Sequence, residues 1–301
     1  MSERDLATDS TDVKENDCVG VLPPRHRWLM DRREMLGLFG TVGLGVHRTI
    51  AQEPAPEFSG LDHIEFYVSN IEKSRDFFVR VFGNALLNRN NKRYLRLGST
   101  YMAFEQPRGN NGEIKVDHVS AAIKKLEMPN LHAFLEQRGV AYQDYPSGRD
   151  TAVIDSDGIR LQLSPENGWS LLNPTTFLPE DIAMPETPIF RPLGMDHVVF
   201  DVKEPERAVA FYQKFLRPPF ERSNNRIWFQ VGTSRIGLQQ MPAGQRPGVQ
   251  YFCVTAAPFA AEAATLRLQQ IGAKVEAPEV PGTIRFRDPD GSLIQVIPSR
   301  A

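Results

Sequence analysis

The feature that most constrains this chain is an internal repeat. In the 301-residue sequence, His63 and His197 lie 134 residues apart. The same offset, without a gap, relates Gly60 to Gly194, Asp62 to Asp196, Phe77 to Phe211, Asn90 to Asn224 and Gly98 to Gly232. Further along, the offset becomes 133, as between Gly139 and Gly272. Self-similarity at a fixed offset indicates repeated structural units, so the chain after residue 57 is predicted to be a duplication.

Each half of this duplication is itself double. The pair Asp62-His63 opens the stretch "DHIEFYV", and Asp117-His118 opens "DHVSAAI" 55 residues later. A helical pattern follows each stretch, and the first, "NIEKSRDFFVRVFG", begins with Asn70 as a candidate N-cap. Three shorter strand-like runs come next, with "DSDG" or "DPDG" as a turn before the last of them. The sequence therefore predicts an α+β fold of four βαβββ modules, arranged in two pairs.

The repeat also predicts how the chain is divided. We expect a leader over residues 1–56, a first domain of two modules over 57–170, a linker over 171–193 and a second domain of two modules over 194–301. The linker contains five prolines, which cannot continue a helix or occupy a central strand.

The leader carries a possible export signal. Arg32 and Arg33 precede a short apolar run over residues 35–46, and small residues at 49–51 offer a cleavage site. This arrangement resembles a twin-arginine signal and predicts an exported, periplasmic protein. The alternative is a frayed amphipathic helix on a cytoplasmic protein. No segment of the body reaches the roughly 18 apolar residues that a membrane span needs.

Charge and cysteine content narrow the range of partners. A formal net charge of −2 gives no basic surface for nucleic acid. The two cysteines, Cys18 and Cys253, have neither the spacing of a metal motif nor that of a disulfide scaffold. Charge and cysteine content therefore exclude nucleic acid as an expected partner and a disulfide scaffold. As separate expectations, the partner is a small-molecule substrate or ligand and the chain is a monomer or homodimer.

The first strand indicates where a site would lie. Side chains alternate between the faces of a strand, so His63, Glu65 and Tyr67 share one face. The apolar residues between them face the helix, which leaves His63 on the concave side of the sheet. A single strand histidine is more often structural than a metal ligand, so this position alone does not decide its role.

Four βαβββ modules, a histidine in the first strand and "DPDG" before the last strand resemble the vicinal oxygen chelate superfamily. That superfamily includes glyoxalase I, extradiol dioxygenases and bleomycin-resistance proteins. The resemblance covers about residues 60–299. It implies two domains, each a pair of modules whose incomplete sheets form a cupped cavity.

The resemblance also implies a metal site in the first domain. By position, the ligands are His63, Glu105, His118 and Gln162, and the ion is divalent: Fe2+, Mn2+, Zn2+ or Ni2+. Two imidazoles, a carboxylate and an amide can hold such an ion with positions left open for a substrate.

Further residues of the first domain receive roles by their position near the cavity and by elimination. Glu105 is the candidate base. The residues assigned to substrate binding are Glu65, Tyr67 and Arg149.

The second domain carries a degenerate version of this site. The corresponding residues are His197, Gln239, Tyr251 and Gln295, which include one imidazole and no carboxylate. We expect no tightly held metal there, although Asp201 could form the polar wall of a small pocket.

Three functions are compatible with these residues. The first is a metal-dependent enzyme, an isomerase, lyase or ring-cleaving dioxygenase, that chelates two adjacent oxygens of a small organic substrate. The second is a non-catalytic binding protein of the bleomycin-resistance type. The third is a structural protein whose modules support only oligomerisation.

Gln162 stands where many members of the superfamily carry Glu, and extradiol dioxygenases of similar length usually place their ligands in the second domain. Neither well-known activity therefore transfers unchanged.

Overall fold

The architecture is taken from a computed structural model. It describes residues 54–83, 86–89, 92–107, 112–168, 187–223 and 225–299, which belong to one compact unit. The predicted twin-arginine segment and most of the predicted linker lie outside these residues.

The first half contains eight strands and two helices within the described residues. In chain order they are β1 (Phe58–Tyr67), α1 (Ile71–Phe82), β2 (Leu86–Arg89), β3 (Lys92–Leu97), β4 (Thr100–Glu105), β5 (Lys115–Ile123), α2 (Met128–Gln137), β6 (Tyr142–Asp144), β7 (Thr151–Ile154) and β8 (Arg160–Pro165).

The second half repeats this order within its own described residues. Its elements are β9 (Pro192–Val202), α3 (Pro205–Tyr212), β10 (Glu221–Ser223), β11 (Arg226–Val231), β12 (Ser234–Gln240), β13 (Gly248–Ala256), α4 (Ala261–Gln270), β14 (Lys274–Glu276), β15 (Ile284–Arg287) and β16 (Leu293–Pro298). Strand β9 begins two residues before the predicted start of the second domain at 194. The domain boundaries themselves stay predictions.

The strands form two sheets with the same topology. The first sheet has the order β2-β3-β4-β1-β5-β8-β7-β6, and the second has β10-β11-β12-β9-β13-β16-β15-β14. In each sheet the opening strands of two modules pair antiparallel at the centre, β1 with β5 and β9 with β13. Each of these strands also pairs in parallel with the last strand of its own module. The predicted α+β fold of four βαβββ modules is confirmed.

Helix α1 forms where local chemistry favours it. The side chain of Asn70 accepts a hydrogen bond from the Lys73 amide at 2.9 Å, which caps the first turn. Gly83 follows the helix at φ +63°, a conformation that a residue without a Cβ adopts at little cost. The buried face of the helix packs on the first sheet, where the rings of Phe78 and Phe104 stack with centroids 5.2 Å apart.

One continuous apolar core joins the two sheets. Phe66 on β1 and Phe252 on β13 meet with ring centroids 5.7 Å apart, and both side chains are buried. Because the convex faces share this core, each concave face remains as a separate surface where a site can form.

The two halves also hold each other through matched hydrogen bonds. The Lys203 amide donates to Asp157 at 2.7 Å, and the Ser69 amide donates to Asp290 at 2.9 Å. Asp157 and Asp290 occupy equivalent places in the "DSDG" and "DPDG" turns. Each turn therefore binds the strand-to-helix junction of the other half.

Within the described residues, each helix is too short or too polar to cross a bilayer.

Candidate functional site

The first sheet curves around a cavity of about 460 Å³. Seven of its eight strands or their ends contribute to the wall. The lining residues are His63, Glu65, Tyr67, Lys92, Tyr94, Tyr101, Asp117, His118, Gln143, Asp144, Tyr145, Pro146, Ala152, Arg160 and Gln162. We call this space the first cavity.

A β-bulge explains why each cavity histidine follows an aspartate. In the pairing of β1 with β5, the register skips Asp62 and again skips Asp117. A bulge places two consecutive residues opposite one partner, so their side chains no longer point to opposite faces. The carboxylate of Asp62 consequently lies 2.7 Å from Nδ1 of His63, and that of Asp117 lies 2.9 Å from Nδ1 of His118.

These aspartates fix the tautomer of both rings. An ionised carboxylate can only accept a hydrogen bond, so Nδ1 of each neutral imidazole carries the hydrogen. Nε2 of each ring is then left with a lone pair. The two Nε2 atoms, of His63 and His118, face each other at 3.2 Å, and both side chains are buried. Two lone pairs at this distance repel each other unless a cation or a proton lies between them.

The spacing of the two nitrogens fits a shared metal ion. With bonds of 2.0–2.1 Å and an angle near the tetrahedral value, two imidazole nitrogens are separated by roughly 3.1–3.4 Å. Histidines that bind a metal also commonly donate their other ring N–H to a carboxylate, as His63 and His118 do. The donor set therefore fits a divalent ion.

Glu65 is the carboxylate that lies beside this pair. It stands opposite His118 in the β1–β5 register, and carboxylate or ring atoms of Glu65, Asp117 and His118 lie within 4.8 Å of one another. Burial opposes ionisation of Glu65, but positive charge beside it, on His118 when that ring is protonated and on the Lys92 ammonium, lowers its pKa. Glu65 is consequently an anion at neutral pH.

Lys92 connects Glu65 to the predicted ligand and base, Glu105. Its Nζ lies 2.6 Å from Glu65 and 2.8 Å from Glu105. Burial opposes the charge on Lys92, but Glu65 and hydrogen bonds to both carboxylates raise its pKa. The three side chains therefore form one partly buried ion cluster beside the histidines.

The register sets Glu105 apart from the two histidines. In the pairing of β1 with β4, Tyr101 stands opposite His63, whereas Glu105 stands opposite Tyr67, four residues further along. The rings of Tyr101 and His63 stack with centroids 4.6 Å apart. Glu105 is not among the residues that line the cavity. Glu65 thus lies beside the imidazole of His118, whereas the register places Glu105 further along β4.

The remaining predicted residues divide between the cavity and the surface. Gln162 lines the cavity and is buried, and its amide nitrogen donates to Ser164 at 3.0 Å, which leaves the amide oxygen to face a ligand. Tyr67 also lines the cavity. Arg149 is exposed on a turn and takes no part in the wall.

Arg160 is the arginine that the cavity contains. It pairs with Asp117 at 3.1 Å and lies two residues before Gln162 on β8, so strand alternation places both on one face. Sequence reasoning did not select it, although this signal was present. Lys92 and the wall tyrosines Tyr94, Tyr101 and Tyr145 were also missed.

The second sheet carries an equivalent place that is built differently. His197 retains its aspartate, with Nδ1 2.5 Å from Asp196, again at a position that the strand register skips. Its Nε2 lies 3.2 Å from the hydroxyl of Tyr251, which can donate to the lone pair. Burial lowers the pKa of His197, so the ring is a neutral acceptor that already has its partner. We call this region the second site.

Two other predicted residues of the second site also have partners within the protein. Gln239 accepts a hydrogen bond from Arg226 at 2.8 Å and donates to Asp201 at 2.7 Å. Asp201 is buried there, and burial raises its pKa. Gln295 is buried on β16, where it stands opposite Arg285 in the strand register.

One further group of possible metal ligands lies in the second sheet, formed by Asp196, His197 and Cys253. Asp196 is already neutralised by Arg235 at 2.6 Å. Burial raises the pKa of the Cys253 thiol well above its usual value, so it is not a thiolate at neutral pH. With Asp196 paired to Arg235 and Cys253 protonated, this group offers a dication too little negative charge.

Comparison with known proteins gives a family match in the second half and two relatives of partial length. The family described as "Glyoxalase-like domain" matches residues 197–297. A metallothiol transferase, FosB, from Shouchella clausii is 30% identical over 115 residues, which cover 34% of this chain and 78% of that protein. A 4-hydroxyphenylpyruvate dioxygenase from Pyricularia oryzae is 27% identical over 116 residues, or 35% of this chain, but the match spans only 27% of that protein.

Solved structures show the same fold at low sequence identity. An extradiol ring-cleaving dioxygenase from B. fuscum has a TM-score of 0.60 and 15% identity, over 83% of this chain and 74% of that chain. A Mn(II)-bound glyoxalase from Novosphingobium aromaticivorans has a TM-score of 0.58 and 13% identity, over 81% of this chain and 83% of that chain.

Proposed function

The chain belongs to the glyoxalase-like, vicinal oxygen chelate superfamily, and from this premise we propose that its first domain is a divalent-metal-dependent enzyme. Its substrate is a small organic molecule that offers two adjacent oxygens to the ion. The observation that carries the proposal is the convergence of two tautomerically fixed imidazoles, with 3.2 Å between the Nε2 atoms of His63 and His118.

The ligands follow from the cavity. His63 and His118 provide the two nitrogens, Glu65 the carboxylate and Gln162 an amide oxygen. Two histidines and one carboxylate with open positions are typical of non-haem iron(II) sites, which favours Fe2+ over Mn2+, Zn2+ and Ni2+. When bound, the ion would supply Lewis acidity to the oxygens of the substrate.

Residues of the chain provide the rest of the chemistry. The aromatic rings of Tyr94, Tyr101 and Tyr145 form flat walls that suit a planar substrate. Burial raises the pKa of Tyr145, so its hydroxyl remains a hydrogen-bond donor. Lys92, held protonated between Glu65 and Glu105, places a positive charge beside the substrate, and Glu105 is the proposed base. Among the three reactions expected of the superfamily, this donor set favours ring-cleaving dioxygenation.

Vicinal chelation can be tested by spectroscopy. The protein is loaded with Co2+, whose visible absorption reports its ligands, and is titrated with catechol. Resorcinol, whose hydroxyls are not adjacent, is the matched control. We expect catechol to shift the Co2+ bands and resorcinol to leave them unchanged. Equal responses to the two diols, or no Co2+ binding by the protein, would contradict the proposal, and the second result would favour a non-catalytic binding protein.

The roles of the two glutamates can be separated by measuring both Co2+ binding and the rate of turnover. Glu65→Gln is expected to weaken Co2+ binding, because it removes the negative ligand. Glu105→Gln is expected to keep the ion while slowing turnover, as the predicted base. The opposite pattern would return Glu105 to the metal and remove Glu65 from it.

We also propose that residues 1–56 direct export to the periplasm, on the strength of the arginine pair at Arg32 and Arg33. Replacing both arginines with lysine should retain the protein in the cytoplasm. Unchanged export would reject this proposal.

A further inference from the structure

Two buried arginines meet a single, partly exposed carboxylate in the second site. The side chains of Arg226 and Arg285 are only 10% and 8% exposed, whereas that of Glu279 is 36% exposed. Glu279 lies on the loop between β14 and β15, and Val280 beside it is half exposed. The guanidinium groups thus belong to the sheet, and their counter-ion comes from the surface.

The two guanidinium groups hold the carboxylate as a fork. Arg226 donates to both oxygens of Glu279, from Nη1 at 2.7 Å and from Nη2 at 3.1 Å. Arg285 donates to one of the same oxygens through Nη1. Bidentate arginine–carboxylate contacts are both strong and geometrically specific. The place occupied by the Glu279 carboxylate is therefore shaped for that group.

The equivalent positions of the first cavity carry the opposite ratio of basic to acidic side chains. At the position of Arg226 it has Lys92, which is shared by two acids, Glu65 and Glu105. The second site replaces those acids with Val199 and Gln239. Two arginines therefore rely on Glu279 for direct neutralisation.

The nearest other carboxylate in the second site is that of Asp201. It is linked to Arg226 by hydrogen bonds through the side chain of Gln239.

The same place contains polar atoms without partners. Nε of Arg285 and Oε1 of Gln295 are buried and have no hydrogen-bond partner among the described residues, although the two residues are paired in the β15–β16 register. The ring of Tyr251 lies below both guanidinium groups, 5.3 Å from each. A donor, an acceptor and an aromatic face are thus available to a molecule larger than the Glu279 side chain.

We propose that the second site binds the carboxylate of a small organic acid, and that Glu279 is the built-in group that this acid displaces. The incoming carboxylate takes both arginine contacts, while its remaining atoms lie against Tyr251. The exposed loop allows Glu279 to move into solvent. This binding needs no metal and is independent of the first cavity.

Chemical rescue tests this proposal directly. Glu279→Gln removes the internal carboxylate, and we expect its Tm to fall by about 2–6 °C. Sodium propionate has the same carboxylate and methylene groups as the lost side chain. At about 50 mM it should raise the Tm of the variant by at least about 3 °C in a saturable manner, because a ligand that binds only the folded state stabilises it.

Three controls test whether the rescue by propionate is specific for the second site. Propionamide, which has the same shape without the charge, should leave the Tm of Glu279→Gln unchanged, as should sodium chloride at equal ionic strength. Glu276→Gln is the matched variant, because Glu276 pairs with Arg287 at 2.6 Å just before the same loop, and propionate should not rescue it. Adding Arg226→Lys to Glu279→Gln keeps the charge but removes the bidentate contact, and rescue should be lost.

The results decide between a site and a purely structural ion pair. Selective rescue of Glu279→Gln by propionate supports the site. A lower Tm that propionate does not restore would overturn it, as would equal rescue by propionate and chloride or equal rescue of Glu276→Gln. An unchanged Tm with no effect of propionate would overturn it as well.

Discussion

The first and second sheets share one strand order, but their concave faces carry different chemistry. In the first sheet, the concave residues line an open polar cavity. In the second sheet, a separate apolar cluster fills the corresponding place. Five equivalent positions account for much of the change: Glu65 and Val199, Tyr94 and Trp228, His118 and Tyr251, Ser120 and Cys253, and Arg160 and Leu293.

His63 and His197 occupy equivalent positions, and they differ in the group that faces Nε2. His63 and His197 each follow a bulged aspartate that binds Nδ1. The group that faces Nε2 differs: a second imidazole in the first sheet and the hydroxyl of Tyr251 in the second. A hydroxyl can donate a proton to a lone pair, whereas a second lone pair needs a cation. The change from His118 to Tyr251 therefore turns a candidate metal site into a self-satisfied hydrogen bond.

The largest expected effect concerns the apolar cluster of the second sheet. Trp228 is buried in the apolar cluster, and Arg235 lies over its ring at 5.1 Å. Trp228→Ala should lower the free energy of unfolding by about 3–5 kcal/mol, as large aromatic truncations in a core do. Tyr94→Ala, at the equivalent place on the open cavity, should cost less than about 2 kcal/mol. Urea denaturation measures both, and equal losses would mean that the two concave faces are packed alike.

A second prediction compares the two aspartates that open the "DSDG" and "DPDG" turns. One oxygen of each accepts two backbone N–H groups. The other oxygen of Asp155 accepts from the hydroxyl of Tyr212 at 3.1 Å, whereas that of Asp288 finds no donor among the described residues. Burial raises the pKa of Asp288 to about 6. Burial also raises the pKa of Asp155, against the effect of the Tyr212 hydrogen bond.

The sign of the pH effect follows from this raised pKa. Between about pH 4 and pH 6 the folded state holds a proton on Asp288 that the unfolded chain has released, so stability falls as pH rises. The loss across this window should approach about 3 kcal/mol, at 1.36 kcal/mol for each pKa unit. Asp288→Asn should flatten the curve, and Asp155→Asn should change it less. Urea unfolding at several pH values measures this, and parallel curves for parent and Asp288→Asn would contradict it.

A third prediction tests the aspartates behind the two histidines. Asp62 is buried, and its other oxygen accepts from the Gly168 amide at 3.0 Å. A Cβ at residue 168 would come within 2.3 Å of this carboxylate, so a larger residue there would displace the Asp62 side chain. Asp62→Asn keeps this acceptor but weakens the hold on the His63 tautomer. It should reduce metal affinity about 10–100-fold.

The matched change in the second site is Asp196→Asn. It should leave metal affinity within about twofold of the parent, because His197 is not expected to bind the ion. Competition with a chelator measures both affinities. Equal losses for the two variants would place metal in the second site too.

The repeat in the sequence was sufficient to predict the fold. Matching residues at an offset of 134 implied duplicated modules, and strand alternation set His63, Glu65 and Tyr67 on one face, where all three line the cavity. Gln162 lies there too. These properties depend on local periodicity, which a single sequence carries.

The missed parts depend on how strands meet. Matching Glu105 to Gln239 related the two halves but could not fix the register of β4 against β1, which places Tyr101 beside His63. Strict alternation also puts Asp62 on the face opposite to His63, and only the bulge returns it to the ring. A turn exposes Arg149 at the surface.

Elemental analysis of the purified protein tests the central difference between the two sheets most directly. We expect one divalent ion for each chain of the parent and of His197→Ala, and none in the His63→Ala, His118→Ala double variant, with folding checked by circular dichroism. Metal retained by the double variant and lost from His197→Ala would contradict the account, because the ion would then lie in the second sheet.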